Sequence, residues 1–442
     1  MLEKLFIVLV NIFYLFFATS GMGYMIGDRF VLSLPLICLI LMDVVLIVML
    51  ISKRTKVRVK PFVLGSFFVL WAILITITRY GVSSFIASIL GLILMWIPII
   101  IRIPISENFT FLKLSKLYCR GLIFSFLGAY QDIISALFSL PKTEEIIPFA
   151  VIQGTGNLSG SLNISIDRIN SFMTEPSEYA AYLVFGYICL DYLENQKFIG
   201  SKTLIILRIH ILVFLLLTFS ITGFLLFISY LIINVVSNSL LTNYVKSLKT
   251  IITTCLFMAI VFFVTINILP DLGIAVIDSV ERIGDFQSSS QNLNTSEGSR
   301  FNSMNIAFDS LGSDYGFIGQ GYGKNTSNWI SENYGSQSRE YADGNIFNLY
   351  AAVTISVGLP GLLFFIGLIY QAFRNSQSED NTNYKMSFFF VWLLSGFCFG
   401  SLLWYSIWGY LYLVGTQPIS CKSKSIISSA RQLKHNSPEW LN

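Results

Sequence analysis

The sequence FVLSLPLICLILMDVVLIVMLIS at residues 30–52 decides the fold class, because its only charged side chain is Asp43. A helix needs about 20 mostly apolar residues to cross the hydrocarbon core of a bilayer. The basic sequence KRTKVRVK follows at residues 53–60. Lysine and arginine beside a spanning helix favour the cytoplasmic side of a membrane. The stretch therefore predicts a transmembrane helix whose C-terminal end faces the cytoplasm.

The same apolar pattern recurs along the whole chain. Of the 442 residues, 54% are hydrophobic and 12% are charged, whereas a soluble domain has about 25% charged residues. Two apolar stretches, 204–238 and 386–415, are too long for one helix each, and each is divided at small residues, at 220–223 and near Gly400. The predicted spanning helices are 5–21, 30–52, 61–78, 82–101, 121–140, 177–193, 204–220, 222–238, 251–270, 346–372, 386–402 and 403–415.

The basic residues set the predicted orientation. With about twelve helices and a cytoplasmic N-terminus, the cytoplasmic segments hold 20 of the 29 lysines and arginines, as the positive-inside rule requires. The predicted fold is an all-α transmembrane helical bundle with both termini in the cytoplasm. Its parts are helices one to nine within 1–270 with an outside loop at 141–176, a large, partly helical extracytoplasmic loop at 271–345, helices ten to twelve within 346–415, and a cytoplasmic tail at 416–442.

The large loop has two stretches with apolar residues at helical spacing. The first is 271–285, and the second is 300–311. In the second stretch, one face of the predicted helix carries Met304, Ala307, Phe308 and Leu311. A loop of about 75 residues is too long for a bare connection, so these helices are expected to give it structure of its own.

Several classes of chemistry have no support in the sequence. The six cysteines form no CxxC pair, and the two histidines, His210 and His435, are far apart. A disulfide framework or a metal site is therefore not predicted. The sequence GQGYGK at 319–324 lacks the spacing of a nucleotide-binding loop. No metal, no cofactor and no nucleic-acid partner is predicted.

Charged residues near the outer surface are the candidates for chemistry. Arg168 and Arg300 lie in the outside loops, where a guanidinium can bind phosphate oxygens in bidentate fashion, or can be a solvated loop charge. Glu175 and Glu178 begin the sixth helix. A carboxylate there either interacts with the helix dipole or acts as a general base.

Polar or charged residues also fall inside predicted spanning helices, among them Asp43, Asp132, Arg208 and His210. Asp132 lies in the outer half of helix five, and Arg208 lies near the cytoplasmic end of helix seven. A charge in the middle of a bilayer is costly and is by default a hypothesis of function. Arg208 is expected instead to extend its guanidinium to the cytoplasmic surface.

Three stretches of the chain resemble the Wzy family of oligosaccharide repeat-unit polymerases. They are RINSFMTEPSEYA at 168–180, TFSITG at 218–223, and a long segment that runs from Arg300 through GQGYG at 319–323 and Asp343-Gly344-Asn345 to VGLPGLL at 357–363. The resemblance implies glycosyl transfer that polymerises undecaprenyl-diphosphate-linked repeat units of an O-antigen, capsule or exopolysaccharide. The reaction would take place on the outer face of the bacterial inner membrane, with no metal or cofactor.

The resemblance also implies roles for individual residues and partners. Glu175 and Asp343 are the expected catalytic carboxylates. The residues expected to bind diphosphate or sugar are Arg168, Arg300, Glu178, Tyr322 and Asn345. Besides the lipid-linked oligosaccharides and membrane lipid, a flippase and a chain-length regulator are expected partners.

The chain departs from the family pattern in two places. Some members have glycine eleven residues after an arginine, where this chain has Tyr179 and Leu311. Related O-antigen ligases have a histidine before their last long helix, near the position of Gly344 here, and this chain has none there. The absence favours a polymerase over a ligase. An O-antigen ligase, a flippase or other transporter, and a membrane protein without catalysis stay open as alternatives.

Overall fold

The structure is a computed structural model, and its description covers a large part of the chain. The described residues are 1–26, 30–80, 93–94, 96–102, 111–138, 140–141, 169–173, 175–239, 296–322, 324–337, 341, 344, 346, 348–375, 382–397 and 409. These residues are mostly helical, as the sequence predicts. The helices are α1 (Leu2–Phe16), α2 (Leu34–Ile51), α3 (Val59–Tyr80), α4 (Phe111–Phe138), α5 (Pro176–Asn195), α6 (Ser201–Leu217), α7 (Ile221–Ser239), α8 (Ser296–Gly312), α9 (Lys324–Tyr334), α10 (Leu349–Asn375) and α11 (Thr382–Ser395).

A short 3₁₀ turn and a small hairpin connect α1 to α2. The turn covers Phe17–Gly21, and the antiparallel strands are β1 (Gly23–Ile26) and β2 (Phe30–Ser33). The predicted span 30–52 is thus a helix only from Leu34, because its first four residues form β2. Pro35 in the first turn of α2 suits this start, since the first helical N–H groups have no partner inside the helix.

Four helical stretches of the described residues are long and apolar enough to cross a membrane. They are Leu2–Gly21, Leu34–Ile51, Val59–Thr78 and Leu349–Arg374, and the apolar stretches Thr222–Asn234 and Met386–Ser395 are shorter. Large apolar side chains on these helices point outward, where lipid would cover them. Examples are Val44 on α2, Leu70 on α3 and Leu363 on α10.

The predicted number of twelve spans goes beyond what the described residues can test. The predicted helices 251–270 and 403–415 fall almost entirely outside them, and so does most of 82–101. The predicted amphipathic helix 271–285 and the tail 416–442 also lie outside the described residues.

Helix α5 is the centre of the bundle. Every residue from Pro176 to Leu193 is buried, because α4, α6, α7 and α11 pack around the helix. Small residues allow the closest approaches. A Cβ atom added at Gly223 of α7 would lie 2.4 Å from the Cβ atom of Ala180, and one at Gly186 would lie 3.0 Å from the Leu122 methyl groups. A helix that is buried on all sides fixes the positions of the groups at its two ends.

The long apolar stretch 204–238 is broken into α6 and α7, at the place that its small polar residues indicate. Phe219 has a positive φ of 46°, which turns the chain after Leu217. The Ser220 Oγ accepts the backbone N–H of Gly223 at 3.3 Å, so this serine caps the start of α7.

Helix α10 is interrupted in its first half. A segment of the preceding loop supplies the hydrogen-bond partners that the interruption removes. Gly358 has φ 64° and ψ −169°, and Pro360 has no N–H to donate. The carbonyl groups of Ile355 and Ser356 therefore lose the partners that a regular helix would supply. They accept instead the N–H groups of Gln320 at 2.8 Å and Gly321 at 2.9 Å.

Helix α10 also donates a hydrogen bond to the same loop segment. The Leu359 N–H, which a regular helix would direct at Ile355, donates to the Phe317 carbonyl at 3.0 Å. The Trp71 indole of α3 donates to the Val357 carbonyl at 2.9 Å. Residues 317–321, which we call the glycine segment, are thereby joined to α10 by backbone hydrogen bonds.

Helices α8 and α9 pack on the first half of α10 around a small second core. Its buried members are Ile306, Ala307, Ile330, Tyr341, Ala351 and Ile355. The predicted apolar face of α8 is wrong at Phe308, whose side chain is 64% exposed. The buried face instead includes Ser303 and Ser310, because small side chains let α8 lie close to α10.

Replacing Gly358 with alanine is expected to destabilise the protein by about 2 kcal/mol or more, since a non-glycine residue at positive φ is strained. Its Cβ atom would also lie 2.1 Å from the Phe317 carbonyl oxygen. Gly367→Ala in the same helix is the control, because that Cβ atom would meet only the Leu64 methyl groups at 3.6 and 3.8 Å. Thermal unfolding in detergent measures both variants, and equal melting temperatures would contradict the role of Gly358.

Candidate functional site

The loop 169–173, which follows Arg168, is held in place from three directions. The Phe172 carbonyl accepts the Gly21 N–H at 3.0 Å, and the Ile169 N–H donates to the Leu217 carbonyl at 3.3 Å. The Ser171 hydroxyl donates to the Ser125 carbonyl at 2.6 Å. The loop is therefore fixed between the 3₁₀ turn Phe17–Gly21, helix α4 and the end of α6.

Asp132 of α4 is the main polar anchor of this loop. Its Oδ2 accepts the N–H of Ser171 at 2.8 Å and that of Asn170 at 3.3 Å. Ser171 has a positive φ of 55°, which is costly for a residue with a Cβ atom. A charged acceptor strengthens both hydrogen bonds and so stabilises the strained turn.

The two glutamates at the start of α5 have different surroundings. Glu175 is the residue before the helix, it is half-buried, and its Oε2 accepts the Ser177 hydroxyl at 2.9 Å. Its carboxylate makes no capping hydrogen bond to the helix backbone. Glu178, one turn later, is 4% exposed and lies inside the packed bundle. Of the two, Glu175 is the one that solvent or a substrate can reach.

The turn between α6 and α7 lies beside the start of α5. Gly223 packs directly on Ala180, and Leu217 accepts a hydrogen bond from Ile169, next to Arg168. Two of the stretches that carry the family resemblance, 168–180 and 218–223, are therefore neighbours in space. We call this region, formed by the loop 169–173, the start of α5 and the turn 218–223, the first cluster.

The third stretch forms a second cluster around Tyr322. The Tyr322 N–H donates to the Thr76 hydroxyl of α3 at 3.0 Å. The Thr326 hydroxyl of α9 donates to the Gly321 carbonyl and lies 2.8 Å from the Ser356 hydroxyl. The Tyr322 hydroxyl is buried and has no hydrogen-bond partner within the described residues. Burial raises the pKa of this phenol, so it stays a neutral donor.

Several predicted site residues do not take part in the contacts described above. Arg168, Asp343 and Asn345 lie outside the described residues. Gly344, between the last two, has φ 69°, and a Cβ atom added to it would lie 2.6 Å from the Ser327 Cβ. Asp343 and Asn345 thus flank a backbone position that lies against α9. For Arg300, the structure gives its position in the second turn of α8.

The glycine segment does not have the arrangement of a phosphate-binding loop. In such a loop the backbone N–H groups are free to donate to a ligand. Here the N–H groups of Gln320 and Gly321 donate to carbonyl groups of α10. Metal ligands are also not grouped in the part of the chain that the structure describes, where no three His, Cys, Asp or Glu side chains come together.

Arg208 extends towards the C-terminal end of α5. Its guanidinium forms ion pairs with the buried Asp191 and, at 2.7 Å, with Glu194, whose side chain is 40% exposed. The Tyr230 hydroxyl donates to Asp191 as well. Asp191 and Glu194 are three residues apart on α5, a spacing that places them on one face, but only the packing of α6 shows that Arg208 is their partner.

Removing the Asp132 carboxylate is expected to loosen the loop that follows Arg168. In Asp132→Ala, hydrogen exchange of the Asn170 and Ser171 amides should become about tenfold faster or more, because two charge-assisted hydrogen bonds are lost. Asp132→Asn keeps one acceptor oxygen and should change the exchange less. Mass spectrometry of the peptide 169–175 measures this, with the turn 195–200 as an internal control. Unchanged exchange in the alanine variant would show that Asp132 does not anchor the loop.

Comparison with known proteins identifies part of the chain. Residues 206–366, from α6 to the second half of α10, match the family model Wzy_C, which is described as O-antigen ligase. A search of the curated proteins gives no match. The apolar helices and this match together indicate a bacterial membrane protein. This match confirms the resemblance to the Wzy family: residues 206–366 are similar to the O-antigen ligase (Wzy_C) family.

Proposed function

We propose that this protein polymerises undecaprenyl-diphosphate-linked oligosaccharide units by glycosyl transfer on the outer face of the bacterial inner membrane. The observation that carries the proposal is the first cluster. It joins a rigidly held loop next to Arg168 to a half-buried carboxylate, Glu175, at the start of a fully buried helix. Arg168, the proposed phosphate-binding cation, and Glu175, the proposed proton acceptor, are seven residues apart in the sequence.

The proposed reaction has one bond formed and one broken. A sugar hydroxyl of one repeat unit gives its proton to the Glu175 carboxylate and attacks the anomeric carbon of a second unit. The bond from that carbon to the diphosphate oxygen breaks, and the lipid diphosphate leaves with the electron pair. Arg168 and Arg300 stabilise the negative charge that develops on the leaving group. The good leaving group provides the driving force, so the step needs no cofactor.

The second cluster is proposed to hold the oligosaccharide. A buried hydroxyl without a partner costs about 1–3 kcal/mol, and the Tyr322 hydroxyl has none within the described residues. A hydrogen bond to a sugar or diphosphate oxygen would remove this cost. Asp343 and Asn345, beside the α9 contact of Gly344, are proposed to face the same substrate, and Asp343 is the second candidate for the base. Glu178 is proposed to act from within the packed start of α5, next to the diphosphate.

An O-antigen ligase is the second candidate, because the matched family model has that description. A ligase of this kind is expected to use a histidine near position 344. The two histidines of this chain are His210, within α6, and His435. The polymerase is therefore preferred. A flippase is less well supported, because it needs a polar central cavity and has little use for a large external loop such as the one predicted at 271–345.

The species that accumulates in a deletion strain distinguishes these functions. Loss of a polymerase should leave single repeat units that are still exported and attached to their final acceptor, with no long chains. Loss of a ligase should leave lipid-linked polymer unattached, and loss of a flippase should leave single units on the cytoplasmic face. Gel analysis of surface polysaccharide and of lipid-linked intermediates makes the distinction. Unattached long polymer in the deletion strain would overturn the polymerase assignment.

Substitutions at the first cluster and at Arg300 test the assigned roles. Glu175→Gln should reduce polymer to single units, because an amide cannot accept the proton. Arg300→Ala should do the same, and Arg300→Lys should restore little, since lysine lacks the bidentate geometry. The controls are Glu332→Gln, an exposed position on α9, and Arg374→Ala at the exposed end of α10.

Each of these variants should be expressed at the level of the unmodified protein. Normal chain length in Glu175→Gln would remove Glu175 as the base and would direct the same test to Asp343. Normal chain length in Arg300→Ala would rule out a diphosphate-binding role for Arg300.

A further inference from the structure

A compact group of cations lies where α2 ends and α3 begins. The turn after α2 is tied to the residues that precede α4 in the chain: the Arg58 N–H donates to the Ile100 carbonyl at 2.7 Å, and the Arg102 N–H donates to the Lys56 carbonyl at 3.0 Å. Val57 and Ile101 form an isolated antiparallel bridge between the same two segments. We call this group the basic pad. Its members are Lys53, Arg54, Lys56, Arg58, Lys60 and Arg102.

Hydrogen bonds to backbone carbonyl groups hold the positively charged residues of the pad close to one another. The Thr55 hydroxyl donates to the Arg102 carbonyl, and the Arg58 guanidinium donates to the Ile99 carbonyl at 3.2 Å. Burial and the nearby charge of Arg102 lower the pKa of Arg58 to about 10. The smaller of these two causes, the charge of Arg102, is a repulsion between like charges, and a bound anion would relieve it.

Five of the six cations of the pad are exposed. Lys53, Arg54, Lys56, Lys60 and Arg102 are exposed, and the structure, over the residues it describes, pairs none of these five with a carboxylate. The segment 52–60 contains no Asp or Glu. Nothing within the pad itself therefore neutralises its charge.

Apolar side chains border the pad on the membrane side. Ile51 at the end of α2 is 75% exposed, and Val59 at the start of α3 is 71% exposed. Phe62, one turn further along α3, is 44% exposed. These side chains continue the lipid-facing surface of α2 and α3, which places the cations of the pad at the level of the lipid headgroups. A phospholipid would use both the cations and this apolar surface, with its headgroup on the cations and its acyl chains along α2 and α3.

We propose that the basic pad is a binding site for the headgroup of an anionic phospholipid of the cytoplasmic leaflet. Ordered cations beside a spanning helix attract anionic lipid, and the attraction falls off within a Debye length. The site is separate from the two clusters that the proposed function uses. A failure of either assignment would therefore leave the other untouched.

The test is a titration of the full chain in neutral detergent micelles with phosphatidylglycerol, in which bound lipid is counted by native mass spectrometry. Each cation near an anionic headgroup contributes about a fivefold change in affinity, so the double variant Lys56→Gln/Arg102→Gln should bind about thirtyfold more weakly. The control Lys202→Gln/Arg374→Gln removes the same charge from exposed positions elsewhere and should bind like the unmodified protein.

Two further arms identify the ligand. Phosphatidylcholine, which has no net charge, should not compete with phosphatidylglycerol, and inorganic phosphate should compete only weakly. High salt should weaken the binding of the unmodified protein and change that of the double variant much less. Equal affinities for the pad and control variants, or equal binding of the two lipids, would overturn the proposal. Strong competition by inorganic phosphate would assign the pad to a soluble anion instead.

Discussion

Inside a bilayer, a peptide group that leaves its helix has no water to bind and must find a partner in the protein. The break in α10 meets this requirement through an exchange of partners. The carbonyl groups freed at Ile355 and Ser356 accept the N–H groups of Gln320 and Gly321, and the N–H freed at Leu359 donates to Phe317. The break and the glycine segment are consequently stable only together. This dependence explains why glycine is needed on both sides of the exchange, at Gly319, Gly321 and Gly358, each with a positive φ.

The same exchange links the transmembrane bundle to the residues that precede α10. Trp71 and Thr76 of α3 contact the break and Tyr322, and α8 and α9 pack on the first half of α10. The second cluster therefore depends on α3, a helix that lies far away in the sequence. In the first cluster, Asp132 of α4 has the corresponding role for the loop that follows Arg168. Each cluster is anchored by a polar side chain of a helix outside the matched residues 206–366.

The positions of the helices in the chain could be predicted well from the sequence, but which helices and faces pack together could not. Apolar length indicates α2, α3 and α10, and small polar residues indicate the break before α7. Pro176 after Glu175 indicates where α5 begins. Phe308 shows the limit of this reasoning, because apolarity does not reveal which face of α8 has side chains small enough to fit α10.

The candidate site follows the same division. The sequence indicates which charged residues to consider, such as Asp132 and Glu175, because charges near or inside a membrane are costly and need a reason. It does not indicate that Asp132 binds backbone N–H groups, or that the turn 218–223 lies against α5. Those contacts join segments that are distant in the sequence, and they arise only when the helices pack. The two carboxylate partners of Arg208 are a further example, since both are on α5.

The fully buried position of α5 has a consequence for biosynthesis. The helix carries Glu178 in its first turn and Asp191 near its other end, both buried, and burial of a charged side chain away from water is costly unless the charge is paired. Helix α5 should therefore be slow to leave the translocon alone. Arg208 on the next helix neutralises Asp191, so the two helices can enter the bilayer as one hairpin with a compensated charge. The ion pair that joins α5 to α6 in the finished bundle would then already form during synthesis, where it lowers the cost of inserting the central helix.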